Sequence, residues 1–316
     1  MSAIERYNQL AEQVTNEIIL GLEKGEVFWQ QPWQNGAMPK NIQSGRYYDG
    51  FNALYLNYIT LKKKYANAHF LTYKQAQQLG GNVKKGEKGH LIVFWKINVY
   101  KVGEKETNEG KSEDVLNRRF TPFIWSVFNV DQCEGLTLMQ QAPAERTENE
   151  VIEACEEVVT NMPNRPHIHH EGNDAFYSVS NDLVQLPERK HFISSPHYYS
   201  VLFHELIHST GHPSRLNRRA EEGTRTFGDA VYSKEELIAE IGANFLNAHT
   251  GIKDQVFDNS VSYIQGWLEA LKNDKTMILT ASSKAAAAAR YILDLEEAAQ
   301  EQEEEKTTEA TLQKAA

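Results

Sequence analysis

The spacing of apolar positions divides the chain into a first half of mixed periodicity and a second half dominated by helices. Ile4, Leu10, Val14, Ile18, Ile19 and Leu22 recur close to every 3.6 residues, which predicts an amphipathic helix over 4–24 ending near Gly25. An aromatic, Pro- and Gly-containing stretch follows from Val27 to Gly50, with Phe28, Trp29, Trp33, Tyr47 and Tyr48. Leu54, Tyr55, Tyr58 and Leu61 share one side of a helix over 51–64, and Thr72 opens a short helix that Gly80-Gly81 stops. At His90–Lys101 the period changes to two, with Leu91, Val93, Trp95, Ile97 and Val99 on one face of a strand. Gly103 to Arg119 is charged and reads as a solvated loop, and Phe120 to Val130 reads as the returning strand of a small antiparallel sheet.

The polar run Gln140–Glu150, which contains Pro143, marks a domain boundary. Beyond it the pattern predicts a helix at about 150–161, short strands at His167–His170, Ala175–Val179 and Asp182–Leu186, and helices at about 197–211, 233–249, 257–273 and 277–299. The expected architecture is α+β in two domains: residues 1–140 with the small antiparallel sheet, a linker at 141–149, and a mainly helical domain with a short sheet at 150–299. The Glu-, Gln-, Thr- and Ala-rich tail 300–316 offers too little apolar surface to fold and is expected to be disordered.

Composition narrows the class. A chain of 316 residues, 41% hydrophobic and 24% charged, is ordinary globular protein, long enough for a core in each half. No apolar run reaches the length of a membrane-crossing helix, and the N-terminus lacks a basic segment followed by an apolar one, so no membrane partner or secretory signal is expected. Two cysteines, Cys133 and Cys155, without a CxxC pair argue against a disulfide framework or thiolate metal site and fit a cytoplasmic location. The net charge of −10 is unevenly spread. Lys40 to Lys101 holds eleven Lys and Arg against Asp49 and Glu87, a local excess of nine positive charges, while the acidic excess lies in Glu296–Glu305 and elsewhere.

The sharpest chemical signal is His204-Glu205-Leu206-Ile207-His208. On a helix, residues i and i+4 share one face, so both imidazoles can reach one Zn²⁺, with Mn²⁺ or a similar divalent transition metal as the alternative. Glu205 then stands beside the metal as a general base for water whose pKa the metal has lowered. Val201, Leu202, Phe203, Leu206 and Ile207 supply the apolar surface that buries such a helix, and Gly211 can close it. A bare HExxH also occurs by chance on surface helices; continued helical signal and downstream carboxylates distinguish this one. Ser233 is a plausible cap for the next helix, where Glu236 and Glu240 lie four residues apart on one face and Glu235 is expected to point away. Spacing alone leaves Glu236 and Glu240 interchangeable as the third ligand. The position where a third histidine of the HExxHxxGxxH pattern would fall is Ser214, which argues against that class.

Several neighbours carry weaker signals. His212 is a candidate contact for substrate or an oxyanion, against the plain reading of a loop histidine beside Pro213. Tyr198, Tyr199 and Tyr232 are candidate donors, with core packing the better expectation for each. Asp182–Leu186 is a candidate edge strand for pairing with an extended peptide.

The basic half combines cations with aromatic faces, as single-strand binding requires. Lys62, Lys63 and Lys64 end one helix, and Lys84, Lys85 and Lys88 lie in the Gly-rich turn 80–89, whose backbone N–H groups could approach a phosphate. Arg46, Tyr47 and Tyr48 form a third group. Composition does not separate this reading from solvated helix ends and core aromatics. The DNA-binding candidates chosen on chemistry are Arg46, Tyr48, Lys74, Lys84, Lys85 and Lys88.

Two resemblances add to these readings. Glu236-Leu237-Ile238-Ala239-Glu240 resembles the ExxA(D/E) element of glutamate-zincins, which implies Glu236 as metal ligand and Glu240 as the carboxylate that orients a ligand histidine. Glu26–Trp29 to Pro32-Trp33, Gly45–Asn52, Leu71–Gly89, Phe203–Arg218, Phe227–Ala230 and Glu235–Ala243 together resemble antirestriction proteins of the ArdC type over roughly residues 5 to 295. Ser209 and Asn244 depart from that pattern, at positions expected near the pocket rim. The resemblance implies a single-stranded-DNA-binding domain joined to a zincin-like metallopeptidase domain, carried on plasmids, phages and related mobile elements. Its implied role is protection of DNA entering by conjugation, with DNA-bound proteins or restriction enzymes as further partners. Two alternatives remain: a non-catalytic protein that protects DNA by occlusion around a structural metal, and, more weakly, a metal-dependent nuclease, which would favour several carboxylates around Mg²⁺.

Overall fold

The computed structural model describes residues 3–25, 27, 38–106, 112–136, 147–218, 230–252 and 261–295. Its elements run α1 (Ala3–Leu22), β1 (Lys40–Asn41), α2 (Gly50–Lys63), β2 (His69–Leu71), α3 (Tyr73–Gln78), β3 (Asn82–Val83), β4 (His90–Glu106), β5 (Ser112–Asn129), β6 (Cys133–Glu134), α4 (Glu148–Asn161), β7 (His167–His170), β8 (Phe176–Ser178), β9 (Leu183–Leu186), α5 (Ser195–Ser209), α6 (Ala230–Thr250), α7 (Val261–Asn273) and α8 (Met277–Ile292). The architecture is α+β, and the expected helices and strands are present with shifted ends. Phe28, Trp29, Trp33, the 141–146 part of the linker, Phe227 to Asp229 and the tail 300–316 lie outside the described residues.

In the first half the sheet order is β1-β2-β5-β4. It is not purely antiparallel, because β1 and β2 run parallel. The expected charged loop at 103–119 is instead mostly hairpin: β4 pairs with β5 out to Glu106 and Ser112, past an irregularity between Lys101 and Gly103. Charge gave no reason to break a two-stranded ribbon whose backbone bonds are all local. In the Gly-rich turn, a Cβ on Gly81 would lie 2.6 Å from the Glu134 carbonyl, so this glycine lets the turn pack against the β6 end. Lys84 donates to the Asp131 carbonyl at 2.9 Å, and Lys74, Lys85 and Lys88 are exposed.

In the second half α5, α6 and α8 pack together beside a three-stranded sheet of order β7-β9-β8. Strand β9 therefore lies in the middle, paired on both sides, and cannot receive a peptide as first expected; among the described residues the open edges belong to β7 and β8. Helix α8 can sit inside this bundle because half of its buried residues are alanine, at Ala281, Ala285, Ala286, Ala288 and Ala289. One apolar cluster runs without a break from Tyr7 and Leu10 of α1 through Leu54 of α2 to Phe203, Leu246 and Ile292. The two halves thus share a core, where the sequence implied one for each.

The segment 48–52 makes the joint. Tyr48, a DNA-binding candidate on its chemistry, is buried with its ring edge-on to Phe70. Asp49 caps α2 by accepting from the Gly50 N–H at 2.8 Å and also pairs with Arg290 of α8. Gly50 takes φ +53° where α2 meets α8, and a Cβ there would lie 3.6 Å from Ser283 Cα. Asn52 grips the free edge of β4, donating to the Val93 carbonyl at 2.7 Å and accepting from its N–H at 2.9 Å.

Candidate metal centre

Helix α5 carries His204, Glu205 and His208 near its C-terminal end, where the helix dipole favours a cation. The opposite face, Leu202, Phe203, Leu206 and Ile207, is fully buried. Helix α6 packs alongside. A Cβ on Gly242 would lie 2.7 Å from Ile207 Cδ1, so absence of a side chain there sets how closely the two helices approach. That approach brings α6 carboxylates to the histidines.

The Nε2 atoms of His204 and His208 stand 3.1 Å apart. Glu236 oxygens lie 3.4 Å from His204 Nε2 and 3.5 Å from His208 Nε2. His204, His208 and Glu236 are the one group of metal-type side chains that converges in this way among the described residues, with ligand atoms within 4.8 Å of one another. A tetrahedral site with ligands at about 2.0–2.1 Å has edges of about 3.3 Å, so the three separations fit such an ion. Two imidazole nitrogens facing each other, both with lone pairs as metal ligands require, also need a positive charge between them. Glu236 reaches both Nε2 atoms, whereas Glu240 Oε1 lies 4.0 Å from His204 Nδ1, on the far side of that ring.

Glu235 does not point away. It is buried, and its carboxylate accepts from His208 Nδ1 at 3.2 Å. Arg218 holds the same carboxylate from the other side, through Nη2 at 2.7 Å and Nε at 3.2 Å. Helical-wheel reasoning failed here because Glu235 meets His208 from one flank of α6 while Glu236 meets it from the next. The buried Arg218 then gives this flank its counter-charge. A carboxylate on Nδ1 fixes the ring's tautomer and leaves Nε2 as the ligand atom.

Burial alone would lower the histidine pKa values. For His208 the charge of Glu236 and the hydrogen bond to Glu235 outweigh it and push the value up to about 10; His204 is raised in the same sense, by its hydrogen bond to Glu236. Burial would raise Glu235 and Glu236, but Arg218 with His208, and His208 with His204, hold them well below the usual carboxylate range. With neutral imidazoles, four carboxylates (Glu205, Glu235, Glu236, Glu240) face one arginine, a surplus of negative charge suited to a divalent cation. Glu205 is buried, and among the described residues no side chain or backbone group hydrogen-bonds its carboxylate.

The helix end is built differently from expectation. Gly211 is not left-handed; Thr210 stays helical at φ −61°, ψ −18°. Arginines take the last carbonyls instead: Arg215 Nε binds Ser209 O at 2.7 Å and Arg218 Nη2 binds Ile207 O at 2.6 Å. Ser209 is fully buried and donates to Leu206 O at 2.7 Å, and Asn244 is buried too, so neither forms a rim. Helix α6 begins at Ala230, so Ser233 is not its cap. Tyr198 and Tyr199 are core residues, bonded to His170 and Glu156; the side chain of Tyr232 lies outside the described set. His212 is half-buried, its Nδ1 accepting from the Ser214 N–H at 3.2 Å.

An HExxH helix packed on a Glu-bearing helix beside a short sheet defines a zincin-like metallopeptidase domain, and residues 153–284 match the family model of that description. Residues 8–128 match the N-terminal domain of the anti-restriction factor ArdC. The chain belongs to the ArdC antirestriction family. It resembles the Mn(II)-bound crystal structure of antirestriction ArdC from plasmid R388 with a TM-score of 0.68 and 34% identity, over 90% of this chain and 97% of that one. The metal-free structure of that protein gives the same TM-score at 32% identity. Protein y4eC of Sinorhizobium fredii is 33% identical over 278 residues, 87% of this chain and 88% of its own length. DNA primase TraC of Escherichia coli is 33% identical over 300 residues, but the chain spans only 27% of that primase.

Proposed function

We propose that this protein is an antirestriction factor of a mobile element that binds single-stranded DNA and hydrolyses peptide bonds in DNA-associated proteins at a divalent-metal centre, with Zn²⁺ the preferred ion. The observation that carries the catalytic part is the convergence of His204, His208 and Glu236 beside an unengaged, buried Glu205. His204, His208 and Glu236 would hold the metal, with Glu235 orienting His208 and Glu240 facing His204. When bound, the ion supplies Lewis acidity toward a carbonyl and acidifies water. Glu205 accepts the proton from the attacking water and delivers it to the departing amine.

The family supports the DNA and antirestriction part, and the basic segment 40–101 supplies phosphate-binding charge on an acidic protein. The protein loaded with Zn²⁺ or Mn²⁺ is tested on casein and on a panel of DNA-binding proteins, beside Glu205→Gln. The expected result is cleavage that Glu205→Gln abolishes while one equivalent of metal is retained. Metal-loaded protein without cleavage, with antirestriction intact in Glu205→Gln, would replace catalysis by occlusion around a structural ion.

A further inference from the structure

Resting on the single-stranded-DNA reading above, we infer that the strand lies in an aromatic groove between the two domains, not on the lysine-rich turn at 84–88. The groove has a volume of about 1140 Å³ and is walled by β4 and β5, by the 44–52 segment, and by α8 of the metal-binding domain. Four large aromatic side chains on it face solvent: Tyr47 at 61%, Trp125 at 52%, Phe94 at 49% and Trp95 at 45% exposure. Such surface is costly to leave in water, and flat π faces are what successive unpaired bases stack upon. Among the described residues, Arg46, Lys284 and Arg290 line the same groove with one acid, Asp49, which pairs with Arg290. On a chain of net charge −10 this local positive balance selects a polyanion over an apolar peptide. A duplex keeps its bases stacked inside and offers these rings nothing. Because α8 forms one wall with Thr280, Ser283 and Lys284 and packs its other side on α5 and α6, a strand in the groove touches the element that supports the metal ligands.

The test is anisotropy of a labelled oligo-dT strand with the full chain, across a salt series. Trp125 and Phe94 are half-exposed, so Trp125→Ala and Phe94→Ala leave the core in place, which circular dichroism checks. Each is expected to weaken binding roughly 5- to 150-fold, the range for one lost stacking contact. Arg46→Ala and Lys284→Ala are each expected to flatten the log Kd against log salt slope by about 0.7. Lys85→Ala is expected to leave affinity within twofold. Photo-crosslinking with 5-iodouracil in the strand is expected to label Tyr47, Phe94 or Trp125. Normal affinity in both aromatic variants, or a large loss in Lys85→Ala with crosslinks confined to the turn, overturns the groove while leaving single-strand binding intact. Failure of the unaltered protein to bind oligo-dT at low salt overturns the DNA reading itself, and the groove with it.

Discussion

At the scale of single residues, Glu235 carries the least expected role. Its neighbour Glu236 has the metal-ligand geometry, yet Glu235 determines which nitrogen of His208 faces the site, and Arg218 makes its burial tolerable. Glu235→Gln keeps the shape and removes the charge; metal affinity, measured by competition with a chromophoric chelator, is expected to fall about 10- to 100-fold. Arg218→Met removes the cation beside a buried carboxylate, and urea unfolding is expected to show a loss of about 3–5 kcal/mol. Unchanged metal affinity in Glu235→Gln would reduce this pair to a structural one. Gly242 makes a second, steric point. Gly242→Ala raises intrinsic helix propensity by about 1 kcal/mol, yet the new methyl collides with the Ile207 side chain, so net destabilisation of about 1–3 kcal/mol is expected. A stabilised Gly242→Ala would show that α5 and α6 can part without cost.

At the scale of elements, periodicity predicted what local chemistry decides and missed what partners decide. Thr72 caps α3 with a complete capping box through Gln75, as its position before the helix implied. Charge along 103–119 suggests a loop where the backbone pairs as a hairpin, and β9 is central where an edge is expected because order within a sheet is invisible to a strand's own pattern. The end of α5 is similar: a glycine stood where a cap was wanted, but two arginines from the following turn satisfy the carbonyls. Arg215 also bonds Asn164 O at 2.8 Å and Tyr177 Oη at 3.0 Å, and pairs with Asp182, tying the β8–β9 turn to α5. Burial alone would raise the Asp182 carboxyl, but hydrogen bonds from Arg215 and Tyr177 hold it below the usual range. A depressed folded-state value stabilises above the unfolded carboxylate range, near pH ~3.9, and the gain disappears as pH falls through the folded value. Asp182→Asn suits the left-handed backbone at φ +46° and isolates the charge. Its Tm deficit relative to the unaltered protein is expected to be largest at pH 6–7 and to shrink as pH falls below the unfolded carboxylate value and through the folded one; a pH-independent deficit would rule out the ion pair as its source.

At the scale of the whole molecule, two domain families share one core. The HExxH motif, the Glu236–Glu240 spacing and the family-like run Gly45–Asn52 were legible in the sequence, because each is a local signature. The reason for that run was not legible: Asp49, Gly50 and Asn52 form a joint whose partners, Arg290, Ser283 and Val93, lie far away along the chain. Nor does composition separate exposed from buried aromatics: Tyr48 is buried and Trp125 is half-exposed. A shared core predicts one cooperative unfolding transition by calorimetry, with domain peaks not resolved. Two separated transitions would contradict it. Metal binding only to the folded state should raise that single Tm, by an amount equivalent to about 2.7 kcal/mol when free ion is at 100 times its Kd, and chelation should reverse it.

What joins these scales is the proposal of a DNA-directed peptidase, and its most direct test is proteolysis of a DNA-bound protein by the metal-loaded chain with and without single-stranded DNA. Cleavage that rises when substrate and enzyme share one strand, and that disappears in Glu205→Gln, is the predicted result. Equal cleavage with and without DNA, or cleavage that persists in Glu205→Gln, would contradict it.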